Sequence, residues 1–250
     1  MDNHVLDDPH VFLDEIMRQA QDSEIIRLSM WIREGKPLGS FPVEGKQVQI
    51  YNKNQVVTGM FDWADQILCA TNNKRNEINN FVRQQKGFGE LPCINDKVIS
   101  LHNHWDFLSN TGTWALTNGC IGTLTYFFNS TNYIPRYICP DPITTMYSTI
   151  ELEDGDRFEG LPIDYKALTT GEPALTPKQI FMMRKNKSIG LTPPYDFAYA
   201  YAITCHKAQG SEWDKVLIFE ERFPFDREEH KKWLYTAVTR AKEKVVIVRD

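Results

Sequence analysis

The stretch that decides the fold is "AYAITCHKAQGSEWDKVLIFEE", Ala200 to Glu221. An apolar run, a small polar loop and a second apolar run follow one another, and apolar runs of this length read as buried strands of a parallel sheet. Open α/β sheets hold ligands in the loops at the carboxyl ends of their strands. Within the loop, Gly210 permits close backbone approach, and Thr204, His206, Lys207 and Gln209 offer donors for phosphates or bases. Glu212, acceptor-only when ionised, suits a ribose hydroxyl. The same composition also suits an ordinary solvated loop.

The pattern extends outward in both directions. Downstream, "REEHKKWLYTAVTRAKE" reads as a helix and "KVVIV" as a final strand, while "FAYAYAI" and "DKVLIF" are the two buried strands of the opening stretch. Upstream, "ADQILCATNNKRNEINNFVRQQKG" runs from a short strand at 67–70, through a polar loop at Thr71 to Asn73, into a helix. Ile78, Phe81 and Val82 give that helix a buried face and Gly87 is placed to end it. Nearer the amino terminus, "DEIMRQA" and "EIIRLSMWIREG" have helical spacing, the second stopped by Gly35 and Pro37.

Between about 96 and 164 the texture changes. "DKVISLHNHW" alternates like a strand, and Asn118-Gly119 and Asp154-Gly155 each separate two strand-like runs, which predicts two hairpins. Residues 166–194 carry several proline and glycine breakers and read as a connector. The expected architecture is therefore an α/β domain with helices on both faces of a parallel sheet, built from 1–95 and 191–250. A small antiparallel, barrel-like insertion with its connector, 96–190, interrupts it.

Composition narrows the class. Of 250 residues, 42% are hydrophobic and 24% charged, which is globular and soluble in balance. No apolar run approaches the roughly 18 residues of a membrane span, and the acidic "MDNHVLDDPH" is unlike a secretory signal, so an intracellular protein without membrane attachment is expected. The five cysteines are scattered and never spaced Cys-x-x-Cys, so neither a disulfide frame nor a metal site is expected. A net charge of -5 argues against gripping duplex DNA by bulk electrostatics. It leaves room for a narrow single-strand groove, which relies on local cations, amides and stacking aromatics.

Two arginines complete the candidates. On the helical reading of "WLYTAVTRAKEK", Arg240 lies about 200° around from Val238 at roughly 100° per residue, and so points away from the core. An arginine held that way can reach a transferring phosphate, though pairing with Glu243 is the plainer alternative. Arg18 sits beside the apolar face of the first helix, where surface arginines are ordinary.

Together these segments resemble the C-terminal half of a superfamily 1 DNA helicase of the RecD and Dda branch, with a UvrD-like helicase C-terminal domain. "ITCHKAQGSEWDKVLIF" is similar to the family's motif V, and "WLYTAVTRAKEKVVIV" to its motif VI, in the expected order and at close spacing. "FLDEIMRQAQDSEIIRLSMWIREGKPL" resembles the segment carrying motif IV, and "LCATNNKRNEIN" the opening of a second RecA-like domain. "NDKVISLHNHW" and "NGCIGTL" look like parts of the SH3-like insertion termed 2B. The resemblance implies that Arg18 and Arg240 reach the ATP γ-phosphate and that Gly210 and Glu212 lie near the nucleotide. It also implies that Thr71, Asn72, Thr204 and His206 line a path for single-stranded DNA, with movement from 5′ to 3′.

The phosphate cradle Gly-x-x-x-x-Gly-Lys-Ser/Thr is not in this sequence: Gly35-Lys36 and Gly45-Lys46 are followed by Pro37 and Gln47. The expectation is that ATP and Mg²⁺ bind only together with an N-terminal RecA-like partner domain carrying the Walker A and B motifs, and that this chain alone hydrolyses no ATP. The alternative is a non-enzymatic module for single-stranded nucleic acid, or an inactive helicase remnant.

Overall fold

The computed structural model describes residues 23–186, 190–222 and 226–249. They divide into two compact units, one from the described parts of Met1–Arg75 and Ala202–Asp250, the other from Asn76–Tyr201. The chain begins with α1 (Glu24–Arg33), β1 (Val48–Asn52), α2 (Gly59–Trp63), β2 (Gln66–Cys69) and α3 (Asn72–Gln85). It continues through β3 (Lys97–Ser100), β4 (His104–Leu108), β5 (Ala115–Leu116), β6 (Ile121–Asn132), β7 (Ile143–Glu151) and β8 (Arg157–Asp164). After α4 (Tyr165–Thr170), α5 (Pro177–Lys185) and β9 (Phe197–Tyr199), it returns to the first unit with β10 (Ala202–Thr204), β11 (Trp213–Phe219), α6 (Arg227–Val238) and β12 (Ala241–Arg249).

The first unit is the expected α/β layer. Its sheet has the order β1-β12-β11-β2-β10 with every pair parallel. The interior strands are apolar on both faces because both are covered: Val216, Leu217, Ile218, Val245 and Ile247 are fully buried. Helix α1 packs on α6 and β12 through Ile25, Leu28 and Ile32, with the Ser23 hydroxyl accepting from Ile26 N–H at its start. Strand β1 was not anticipated, since a five-residue edge strand with a polar outer face gives little periodic signal.

Two segments differ from the sequence expectation, each because strand pairing overrides local pattern. The helix before "KVVIV" ends at Val238, and Ala241 already pairs with Trp213, so Arg240 lies in the turn between α6 and β12, not on a helix. "FAYAYAI" is not one strand: β9 joins β3 in the antiparallel sheet, whereas β10, two residues on, joins β2 in the parallel one.

The second unit is a five-stranded sheet of order β8-β7-β6-β3-β9, with β4 and β5 paired separately. Its core includes Val98, Leu124, Met146, Phe158, Leu161 and Phe197. The Asp154-Gly155 hairpin forms, with Glu151 opposite Arg157 and Gly155 at φ 85°. Asn118-Gly119 does turn the chain, but β5 pairs with β4 while β6 pairs with β3 and β7, so no hairpin forms there. Among the described residues the strand order by itself is open, running from β8 to β9, and a bridge between Ile163 and Tyr195 links β8 to the segment just before β9. The expected connector holds two helices, and α5 carries a start signal visible in the sequence: Thr176 and Gln179 form a capping box around Pro177. The sequence boundaries at 95/96 and 190/191 would leave all of α3, and β9, in the first unit; here α3 divides at Arg75 and β9 falls in the second. Among the described residues, no helix is long and apolar enough to cross a membrane.

Candidate functional site

The candidate residues fall into two clusters on opposite edges of the parallel sheet. At the carboxyl edge, Thr204 is level with Cys69, so the turns leaving β10 and β2 are neighbours. This register brings Thr71 and Asn72, at the start of α3, beside Thr204 and His206. His206 is exposed, and its side chain makes no hydrogen bond or ion pair with another described residue. Thr71 is engaged on two sides: its Oγ1 accepts Lys74 N–H at 3.2 Å and donates to Glu221 Oε1 at 2.6 Å. Cys69 below it is a buried filler whose thiol burial, aided by the Glu221 charge, pushes up to about 12.

Cations gather at this edge. Lys74 lies over the Phe219 ring at 5.5 Å, and the half-buried Lys207 ammonium holds its proton less tightly than usual, first through desolvation and then through the nearby positive charge of Arg75. Two half-buried cations of like sign in one place favour an anion between them. Sequence reading noted Lys207 but missed Lys74, Arg75 and Glu221, which look like ordinary helix and loop charges until the fold assembles them.

At the amino edge, Gly210, Glu212 and Arg240 form the second cluster. Gly210 takes φ 87°, a conformation that disfavours any side chain, and a Cβ there would meet nothing within 4 Å, so the backbone is open to a ligand. Arg240 is fixed by three acceptors: Nε donates to Thr236 O at 3.2 Å, Nη1 to Ser211 O at 3.2 Å, and Nη2 to Thr239 Oγ1 at 3.3 Å. Trp213 N–H in turn donates to Arg240 O at 2.9 Å. A guanidinium has five N–H groups, so two remain for an outside acceptor. Glu243 is not its partner; among the described residues no carboxylate pairs with Arg240. Glu212 is exposed just before β11 begins to pair at Trp213, its side chain without a hydrogen bond or ion pair to another described residue.

The loop 205–212 joins the two clusters. Trp213 stands five residues before Ile218 on β11, and Ile218 is level with Leu68, one residue short of the end of β2, so the clusters are roughly 20 Å apart at about 3.3 Å per residue. The loop therefore crosses from the carboxyl to the amino edge, and its two ends cannot touch one small ligand together. Arg18 lies outside the described residues. Among those described, no three His, Cys, Asp or Glu side chains are grouped to hold a metal ion.

Residues 199–248 match the family model of the UvrD-like helicase C-terminal domain. That segment contains β10, the crossing loop, β11, α6 and Arg240. Solved structures with similarity include Bacteroides Pif1 bound to single-stranded DNA, 16% identical over 90% of this chain and 48% of that one, with a TM-score of 0.44. Pif1 helicase from Candida albicans is 15% identical over 92% of this chain and 54% of that one, with a TM-score of 0.45. This chain thus spans about half the length of the solved chains it matches. No curated protein matches it.

Proposed function

We propose that this chain is the second motor domain of a superfamily 1 DNA helicase of the RecD and Dda type, acting with a first RecA-like domain that carries the phosphate cradle and the Mg²⁺-binding acid. The observation that carries the reading is the hydrogen bond from Arg240 to Ser211 O, which ties together the two motifs inside the UvrD-like match. In this reading Arg240 and Arg18 present guanidinium groups to the γ-phosphate of ATP, while Gly210 and Glu212 contact the nucleotide's phosphates and sugar. Thr71, Asn72, Thr204 and His206, with Lys74, Arg75 and Lys207, form the path of single-stranded DNA. The antiparallel unit is the counterpart of the SH3-like insertion.

ATP supplies a phosphoanhydride whose binding and cleavage change the charge facing Arg240. Because Arg240 grips the loop at Ser211, movement of its guanidinium pulls one end of 205–212, and the other end begins at Thr204. Nucleotide state is thereby transmitted across the sheet to the strand contacts. A module that only bound nucleic acid would have no use for Arg240 held with two donors open.

Fluorescence anisotropy of labelled single-stranded DNA, with and without an added first RecA-like domain and a non-hydrolysable ATP analogue, tests this reading. Expected are weak, salt-sensitive binding by the chain alone, no ATP turnover by the chain alone, and an affinity that shifts with nucleotide once the first domain is present. Arg240→Ala is expected to lower ATP turnover of the reconstituted pair by about a thousand-fold or more. Affinity indifferent to nucleotide would favour the non-enzymatic module, and ATP turnover by the chain alone would refute the division of labour.

A further inference from the structure

Glu221, two residues beyond β11, has no part in the reading above, yet it controls Thr71. Its Oε2 accepts from Ala70 N–H at 2.6 Å and from Thr71 N–H at 2.9 Å, and its Oε1 accepts from the Thr71 hydroxyl at 2.6 Å. A threonine hydroxyl has one proton to donate, and here Glu221 takes it. Both amides of the turn are taken as well, so Thr71 in this arrangement has no donor left for a phosphate oxygen. The carboxylate also sets a negative charge where the strand's phosphates would lie, opposing the attraction of Lys74, Arg75 and Lys207.

We infer that Glu221 is an internal competitor of the nucleic-acid backbone: strand binding displaces its carboxylate from the 70–71 turn, and a phosphate takes over the three donors. The inference rests on the proposed strand path through Thr71. It adds a conformational step to that path. Glu221 lies two residues beyond β11, the strand into which the crossing loop leads, so releasing it frees the end of β11 at the moment the nucleic acid is gripped.

The test uses the full chain and a fluorescein-labelled oligodeoxythymidylate, with anisotropy followed over a salt series. Glu221→Gln keeps the shape but removes the charge and one acceptor. It is expected to bind about ten-fold tighter than wild type at low salt, the size of one charge-assisted hydrogen bond, with a steeper salt dependence. Adding Thr71→Val to it is expected to cancel most of that gain. If wild type binds and Glu221→Gln binds equally or more weakly, Glu221 only braces the turn and the inference fails while the strand path stands. If neither binds, the strand path fails and the inference with it. Should Glu221→Gln not fold, judged by circular dichroism, Glu221→Asp serves instead. Its carboxylate falls one methylene short of the turn, and binding no tighter than wild type would refute the competition.

Discussion

A carboxylate taken out of water must find hydrogen-bond donors, and Glu24, 2% exposed at the start of α1, finds four. Its Oε1 accepts from Glu44 and Gly45 N–H at 2.6 and 3.3 Å, and its Oε2 from Gln47 and Val48 N–H at 2.8 and 3.0 Å. Burial pushes its carboxyl up, but the amides together outweigh burial and hold it below its usual range. Because the folded pKa is depressed, the stabilisation is complete above the unfolded value of about 4.3 and is lost as pH falls through the folded one. Glu24→Ala is expected to cost about 2–4 kcal/mol near neutral pH by leaving those amides unpaired. The gap in melting temperature between wild type and Glu24→Gln should narrow as the pH drops below about 4.3, and a gap constant to pH 3 would contradict the assignment.

At the scale of elements, Arg83 and Asp96 bind α3 to the start of β3. Arg83 Nε and Nη2 donate to the two Asp96 oxygens at 2.9 and 3.1 Å, Nη2 also donates to Leu91 O at 2.6 Å, and the guanidinium lies 4.0 Å over the Tyr199 ring of β9. Asp96 further accepts from Cys93 N–H at 2.7 Å and from the Tyr201 hydroxyl at 3.1 Å. Both side chains are almost wholly buried, so removing one partner leaves a charge stranded. Arg83→Ala is expected to lose about 3–5 kcal/mol in urea unfolding, while replacing both partners with apolar residues of like volume should cost far less. If the double replacement proves as damaging as the single one, stacking on Tyr199 and not charge pairing dominates this joint.

At the scale of the molecule, the second unit is one continuous piece of chain with its own core, whereas the first is assembled from two pieces. A fragment from Asn72 to Tyr201, which keeps α3 whole, is therefore expected to unfold cooperatively by itself when heated. A broad, non-cooperative melt would show that its core depends on the rest of the chain. What local pattern can carry was legible in the sequence: α1 with Ser23 and Gly35 at its ends, the apolar strands β2, β11 and β12, the turn at Asp154-Gly155, and the loop from Thr204 to Trp213. Helix periodicity, strand runs and turn residues are set by near neighbours, and one segment suffices to show them. The end of α6 at Val238 and the division of "FAYAYAI" between two sheets were not legible, because both are decided by pairing with strands distant in sequence. The same holds for the candidate site. Sequence alone named Thr71, Thr204, Glu212 and Arg240, but only the register of β2, β10 and β11 sets them on opposite edges of one sheet. Glu221 carried no local mark at all, since its contact with Thr71 joins residues 150 positions apart and exists only once the parallel strands have aligned.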